Sequence, residues 1–410
     1  MLLVQKHIIK RNDSRYPAID EAAYKSKNLY NSTLYAVRQH YFEHKKYLPY
    51  AKLQHDFQES KQFDYCNLPA KVAQWTMKMV EHNFKAYFAA LKEYRQNPEK
   101  FEACPKIPKY LDSEFGRYLL TYTSQAISKR ELDKRGVIKP SGLNIEIHTR
   151  LSYSDIRQVR IVRGVDSYTV EILYKVEEPE LMKDNGRYAA IDLGINNFAT
   201  LTTNNIGDIP FAISGKGMKS INHWYNKQHA LYKSVLEKRN RKKHSRRLRQ
   251  MAMKRKNRLN DFMHKSSRYI VNHLVSNGIT TLVIGKNDGW KQDINIGRTN
   301  NQNFVQIPYE NFIDMLKYKC RLQGIRVMTV DESYTSKCSF LDGEEICKHD
   351  VYAGRRIKRG LFRSKEGILI NADVNGSYNI LRKCKPKAFA NGVTGVVVHP
   401  VIISITNGFQ

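Results

Sequence analysis

A single carboxylate set inside an apolar run constrains this chain more than any other feature. The run is Tyr188-Ala189-Ala190-Ile191-Asp192-Leu193-Gly194, followed at once by Ile195-Asn196-Asn197-Phe198-Ala199-Thr200-Leu201-Thr202. Both halves are β-rich and Gly194 permits a tight turn, so the stretch reads as a hairpin with Asp192 on its first strand. A carboxylate in such a run is costly to desolvate unless it is paired, hydrogen-bonded or on a metal. A turn-forming Asp capped by local backbone NH groups explains the residue equally well by itself. Two distant segments tip the balance: Asn371-Ala372-Asp373-Val374-Asn375 sets another acid beside an apolar run, and Val330-Asp331-Glu332 ends a third.

The chain has 410 residues, enough for two or three domains and a full core. Its 69 Lys and Arg against 39 Asp and Glu leave a net charge of +30, which points to a polyanionic partner, nucleic acid first. No apolar run is long enough to span a bilayer, and Lys6 and His7 break the opening Met1-Leu2-Leu3-Val4, so neither a membrane span nor a signal peptide is expected. Six cysteines without a framework fit reduced thiols in a cytoplasmic protein.

Residues 1–10 read as a strand, and helical spacing governs Ile19 to about Phe42 and again Leu68 to Leu91. Asn97-Pro98 and Cys104-Pro105-Lys106-Ile107-Pro108 close that block, because prolines so close together end a helix and extend the chain. From about residue 114 the period falls to two, as in Leu143, Ile145, Ile147 and in Tyr168, Val170, Ile172, Tyr174. Short strands over 115–178 predict a small β-barrel interrupted by the helices. Beyond the Asp192 hairpin come a strand at 209–213, a long basic helical stretch, a strand at 281–284, a helix at 309–322, a strand at 325–330 and a last helix opening near Asp373. Three strands, helix, strand, helix, strand, helix is the ribonuclease-H-like order, in which acids at strand ends and on the last helix meet at one sheet edge. Phosphodiester hydrolysis wants such a set, since two Mg²⁺ about 4 Å apart activate water and stabilise the leaving oxyanion. Hard cations take oxygen ligands, so carboxylates must converge from separate parts of the chain.

Between Lys238 and Arg258 stand twelve Lys and Arg and no acid. Most charge runs are solvated faces, but twelve like charges repel one another along a helix unless a phosphate backbone lies against them. Arg241, Lys242, Lys243, Arg246, Arg247 and Arg249 are the candidate contacts.

Three segments carry a family resemblance: Ala190 to Gly194, Ser333-Tyr334-Thr335-Ser336-Lys337-Cys338-Ser339, and Ala372-Asp373-Val374-Asn375-Gly376-Ser377-Tyr378-Asn379-Ile380. The chain resembles TnpB, the compact RNA-guided nuclease of bacterial and archaeal insertion sequences that is related to type V CRISPR effectors. The resemblance implies a multidomain α+β protein. Its parts are a wedge β-barrel (1–19 and 113–182), an inserted helical recognition lobe (20–112), a RuvC-like nuclease domain (187–385) and a tail of no assigned role (386–410). It further implies a guide RNA, a double-stranded DNA target beside a short adjacent motif, Mg²⁺ (or Mn²⁺) as cofactor, and action in the prokaryotic cytoplasm, on the nucleoid when DNA-bound. Base pairing then reads the sequence, while the protein reads backbone, shape and the motif. Lys71, Gln74 and Lys78 recur at helical spacing and are candidate motif readers, Gln toward adenine and Lys toward guanine or phosphate; an ordinary polar face accounts for them nearly as well.

Two departures matter. Many members carry the second catalytic Glu just after the strand matching 281–284, but here that strand runs into Gly285-Lys286-Asn287-Asp288. Glu332 is the best relocated acid, giving Asp192, Glu332 and Asp373 as the catalytic and metal-binding set; Asp331 and Asp288 are weaker stand-ins. Family members also commonly fold the segment before the last Asp around two CxxC pairs. Over 330–370 this chain offers only Cys338, Cys347 and His349, short of the four ligands of a closed site, so zinc is not expected. A nuclease-inactive RNA-guided DNA-binding protein, such as a repressor, is the alternative, and an RNA-binding accessory of transposition a weaker third.

Overall fold

The computed structural model describes residues 1–240, 244–286, 307–390, 392–393 and 395–405. The chain divides into two compact units, Met1–Glu177 and Glu178–Gln410.

The first unit opens with β1 (Leu2–Lys10), then α1 (Tyr16–His44), α2 (Tyr50–Glu59), α3 (Phe63–Cys66) and α4 (Ala70–Gln96). Pro17 sits in the first turn of α1 and Pro69 precedes α4, where a missing backbone NH does no harm. After the proline-rich segment come β2 (Leu120–Thr123), α5 (Lys129–Arg135), β3 (Val137–Ile138), β4 (Ile147–His148), β5 (Ile156–Arg163) and β6 (Ser167–Lys175). Four strands pair in the order β1-β6-β5-β2, all antiparallel, and β3 pairs only with β4. The expected barrel is therefore an open sheet with β1 and β2 as its edges. Residues 124–155 go into short helical turns, loops and the two-residue strands β3 and β4, leaving too little strand to close the ladder. Leu143, Ile145 and Ile147 are all buried, yet only Ile147 is in a strand: their alternation reported burial rather than pairing. One apolar cluster runs through Ile19, Leu29 and Leu34 of α1, Val72, Met77 and Phe84 of α4, and Leu120, Val159 and Ile172 of the sheet. Helices and sheet thus share one core.

The second unit holds β7 (Tyr188–Leu193), β8 (Asn197–Thr203), β9 (Phe211–Ser214), α6 (Lys216–Asn240), α7 (Arg246–Ser276), β10 (Thr281–Gly285), α8 (Tyr309–Arg321), β11 (Arg326–Val330), β12 (Arg355–Lys358), β13 (Leu361–Arg363), β14 (Leu369–Asn371), α9 (Ala372–Cys384) and β15 (Val401–Ile403). Its main sheet has the order β11-β10-β7-β8-β9-β15. The strands β7, β10 and β11 are parallel, β7-β8-β9 is an antiparallel meander, and β15 adds to β9 in parallel. That last strand gives the 386–410 tail a structural place. Val398 O also accepts a bond from Asn371 N at 2.9 Å. The basic stretch is two helices rather than one: Ser245 caps α7, its hydroxyl accepting from Leu248 N.

Candidate active site

Alternation along β7 decides where Asp192 points. Ala189, Ile191 and Leu193 pack with α7 and α8, while Ala190 faces the other way, with Val283 and with Ile380 and Leu381 of α9. Asp192 shares that second face. Its Oδ2 lies 2.9 Å from where a Cβ on Gly376 would stand, so any larger residue at this turn of α9 would have to displace the carboxylate.

Asp373 lies one helical turn earlier on α9. Asn371 caps the helix, its side-chain oxygen accepting from the backbone NH groups of Asp373 (3.0 Å) and Val374 (3.2 Å). Asn197, at the start of β8, donates through Nδ2 to Asp373 Oδ2 at 2.7 Å. Glu332 follows the end of β11, in a turn fixed by Thr335, whose N and Oγ1 both donate to Glu332 O (3.1 and 2.7 Å). Its Oε2 comes within 2.9 Å of the point where a Cβ on Gly285 would be. Thus the Glu332 carboxylate, with Ile380 Cδ1 at 2.6 Å from that point, occupies the space that a side chain at the end of β10 would enter.

Like charge reaches Asp192 from the other two acids. The Asp192 carboxyl is pushed well above the ordinary carboxylate range by burial first, then by the negative charges of Asp373 and Glu332, against a smaller opposing pull from Arg356. Glu332 is pushed up to about 7, by burial and then by Asp331. Tyr309 feels both Asp192 and Glu332, and donates its hydroxyl to Gly194 O at 2.7 Å, anchoring the turn after β7. Carboxylates crowded together and desolvated are relieved by a proton or a cation, and an all-oxygen set suits a hard divalent ion. Among the described residues, no three His, Cys, Asp or Glu side chains stand close enough to hold one ion together.

Asp331 is committed elsewhere. Its carboxylate accepts from Ser333 N and Oγ and pairs with Lys383 at 3.3 Å, and these partners hold it below the ordinary range, Ser333 foremost. Asp288 lies outside the described residues. Cys338 is buried with its Sγ 3.6 Å from Cys347 O, and Cys347 Sγ lies 3.3 Å from His349 Nε2. The segment around them is tied by side chains: Glu344 accepts from Ser339 N (2.6 Å) and Ala353 N (2.8 Å), and Asn379 Nδ2 donates to Thr335 O and Cys338 O.

Of the basic candidates, Arg241, Lys242 and Lys243 lie outside the described residues. Arg246 and Arg249 are exposed on α7. Arg247 stacks on Tyr232 at 3.9 Å and donates to its hydroxyl, and Arg255 lies 5.1 Å from the Tyr225 ring, so both brace α7 against α6. Lys71, Gln74 and Lys78 are half-buried along α4, and the Lys78 ammonium sits over Tyr50 and Trp75. Asn197, Gly285 and Gly376 were missed from sequence. A glycine inside a predicted helix was the one available signal.

Residues 171–291 match the family model OrfB_IS605, described as a probable transposase, and residues 309–380 match the Cas12f1-like TNB domain. A TnpB-like protein, ORF457 of Acidianus two-tailed virus, is 26% identical over 234 residues, covering 54% of this chain and 45% of that protein. These matches support a TnpB-family protein. The match thus spans less than half the length of this curated relative. Among solved structures, a Cas12f1–sgRNA–target DNA complex aligns over 92% of this chain and 98% of that one, with 15% identity and a TM-score of 0.36. The mini RNA-guided endonuclease Cas_phi3 aligns over 98% and 93%, with 11% identity and a TM-score of 0.49.

Proposed function

We propose that this TnpB-family protein is an RNA-guided DNA endonuclease of a transposable element. It hydrolyses the phosphodiester backbone of target DNA beside a short adjacent motif, with guide RNA and double-stranded DNA as partners, in the prokaryotic cytoplasm and on the nucleoid. One observation carries the reading. The end of β10 holds glycine instead of an acid, the Glu332 carboxylate and Ile380 both close on the space a side chain there would enter, and the Glu332 charge is felt at Asp192 together with that of Asp373.

Asp192, Glu332 and Asp373 are the residues that would hold Mg²⁺, or Mn²⁺ in its place, with no single ion taking all three carboxylates as they stand. When bound, such ions supply an activated water and stabilise the leaving oxyanion. The chain's own part is positioning. Gly376 lets Asp192 lie against α9, Asn197 fixes one oxygen of Asp373, and Thr335 holds the turn that presents Glu332. Arg246 and Arg249, exposed on α7, are assigned to phosphate and Lys71 and Gln74 to the adjacent motif, whereas Lys78 and Arg247 act first as braces. We read the 330–370 segment as held without zinc, by Glu344, Asn375 and Asn379.

The test is to purify the protein with co-expressed flanking DNA, sequence the bound RNA, and assay cutting of the matching target in Mg²⁺. Asp192→Asn, Glu332→Gln and Asp373→Asn should each lose cleavage by orders of magnitude while guided binding survives, and Asp331→Asn should cut within a fewfold of wild type. A Glu332→Gln protein cutting at the wild-type rate would overturn the relocation. The missing acid on β10 favours one rival, a nuclease-inactive guided DNA-binding protein. Guided binding with no cutting in Mg²⁺ or Mn²⁺ would establish it.

A further inference from the structure

The outward face of α1 carries a surface that the acid cluster does not use. Tyr35, Arg38 and Phe42 follow one another at spacings of three and four, so they lie along one stripe of the helix. The rings of Tyr35 and Phe42 remain 58% and 47% exposed, whereas other large residues of α1, such as Leu29, Leu34 and Val37, are buried. A third ring comes from the proline-rich segment. Asn31 clamps that segment to α1, donating through Nδ2 to Leu111 O and accepting from Leu111 N, both at 2.9 Å. The clamp sets Tyr110, itself 44% exposed, beside Arg38, whose guanidinium lies 4.9 Å from the Tyr110 ring and 5.7 Å from that of Phe42.

Two features separate this patch from chance exposure. Its cation is already held between two π-faces, so the array is ordered before any ligand arrives. The flanking charges are also one-sided: Lys106 and Lys109 are exposed on the clamped segment, and neither has an ion-pair partner among the described residues. Glu43, the acid next to Phe42, lies 3.7 Å from His44, an ion pair only when that imidazole is protonated. Exposed aromatic faces interleaved with unmatched cations are what unpaired nucleobases on a phosphate backbone require, since a base must leave its own stack before it can lie on a ring.

We propose that Tyr35, Phe42 and Tyr110, with Arg38 between them, form a stacking platform for unpaired bases of a single nucleic-acid strand, and that Lys106 and Lys109 meet its phosphates. The platform lies wholly within the first unit and does not depend on the nuclease reading.

A net charge of +30 attracts polyanions whatever their bases, so the experiment must isolate the bases. Full-length protein is titrated with single-stranded oligonucleotides bearing 2-aminopurine, and with abasic strands of equal length and charge. Wild type should prefer base-bearing strands by about tenfold or more and should quench the 2-aminopurine emission. The combined Tyr35→Ala, Phe42→Ala, Tyr110→Ala variant should lose preference and quenching, while Tyr35→Phe with Tyr110→Phe should keep both. Tyr35→Ala alone, which removes a mostly exposed ring, should lose part of the preference and guards against a misfolded triple variant. Ribose and deoxyribose strands tested side by side tell an RNA occupant from a displaced DNA strand. The proposal is overturned if wild type binds abasic strands equally well, or if the triple variant keeps the wild-type preference.

Discussion

The two units solve the same problem by different means. In the first, one continuous apolar cluster joins helices to sheet, and buried polar groups such as Ser26 and Thr76 bond each other at 3.0 Å. In the second, the apolar side chains fall into separate clusters, and the helix between them, α9, buries Asn375, Ser377 and Asn379 completely. Each of those has named partners. Asn375 accepts from Phe340 N and donates to Cys338 O, Ser377 bonds Ala190 O and Thr202 Oγ1, and Asn379 reaches Thr335 O and Cys338 O. Apolar burial is non-directional and tolerates small slips, whereas a hydrogen bond fixes distance and angle. Polar fastening therefore occurs where acids must be aimed.

That contrast can be broken or sharpened in four ways, from the largest effect to the smallest. Gly285→Ala puts a methyl 2.9 Å from Glu332 Oε2 and 2.6 Å from Ile380 Cδ1. Guided cleavage should fall about a hundredfold or more with binding nearly unchanged, because small misplacements of reacting groups have costs of that order. The exchange Gly285→Glu with Glu332→Gly should recover part of the loss, and wild-type cutting by Gly285→Ala would remove the case for aiming at this position. In the first unit, Phe84→Ala should destabilise by about 3–5 kcal/mol, read from hydrogen exchange of the α4 amides. On α9, Asn379→Ala strips the donor from two buried carbonyls and should destabilise by about 1–3 kcal/mol, read from exchange of the α9 amides. A change within about 0.5 kcal/mol, as on a free surface, would mean that α9 is held by apolar contact like α4.

The smallest effect concerns pH. Lys319 on α8 is buried, donating to His264 O and Ser267 Oγ, and burial lowers its ammonium to about 8. Between there and the ordinary lysine value near 10.4 the unfolded chain binds more protons than the native one. The contribution of this group to stability therefore rises with pH across that window and is flat below it, with a slope of at most about 1.4 kcal/mol per pH unit. Lys319→Met should flatten the difference, measured by urea unfolding from pH 7 to 10.

Most elements of the second unit were legible from periodicity, and Asp192, Glu332 and Asp373 stood out because each is an acid beside an apolar run. What could not be read were partnerships across the chain. The bond from Asn197 to Asp373 and the fit of Glu332 over Gly285 leave no local trace. The barrel was over-read because Leu143 and Ile145 alternate inward without joining a ladder. The basic run hid a boundary, since Ser245 among arginines is a weak cue until its hydroxyl is seen capping α7.

The fastening of α9 to β7 and β8 also has a kinetic side. The bonds of Ser377 to Ala190 and Thr202 close loops of 187 and 175 residues, and Asn197 to Asp373 closes one of 176. Closing such loops consumes chain entropy before any contact repays it, so structure of this kind forms late, after local hairpins and helices. The β7-β8 hairpin pairs residues close in sequence, so it needs no such closure, and until α9 docks Asp192 faces water. The acids of β7 and α9 come together only with that late, long-range closure.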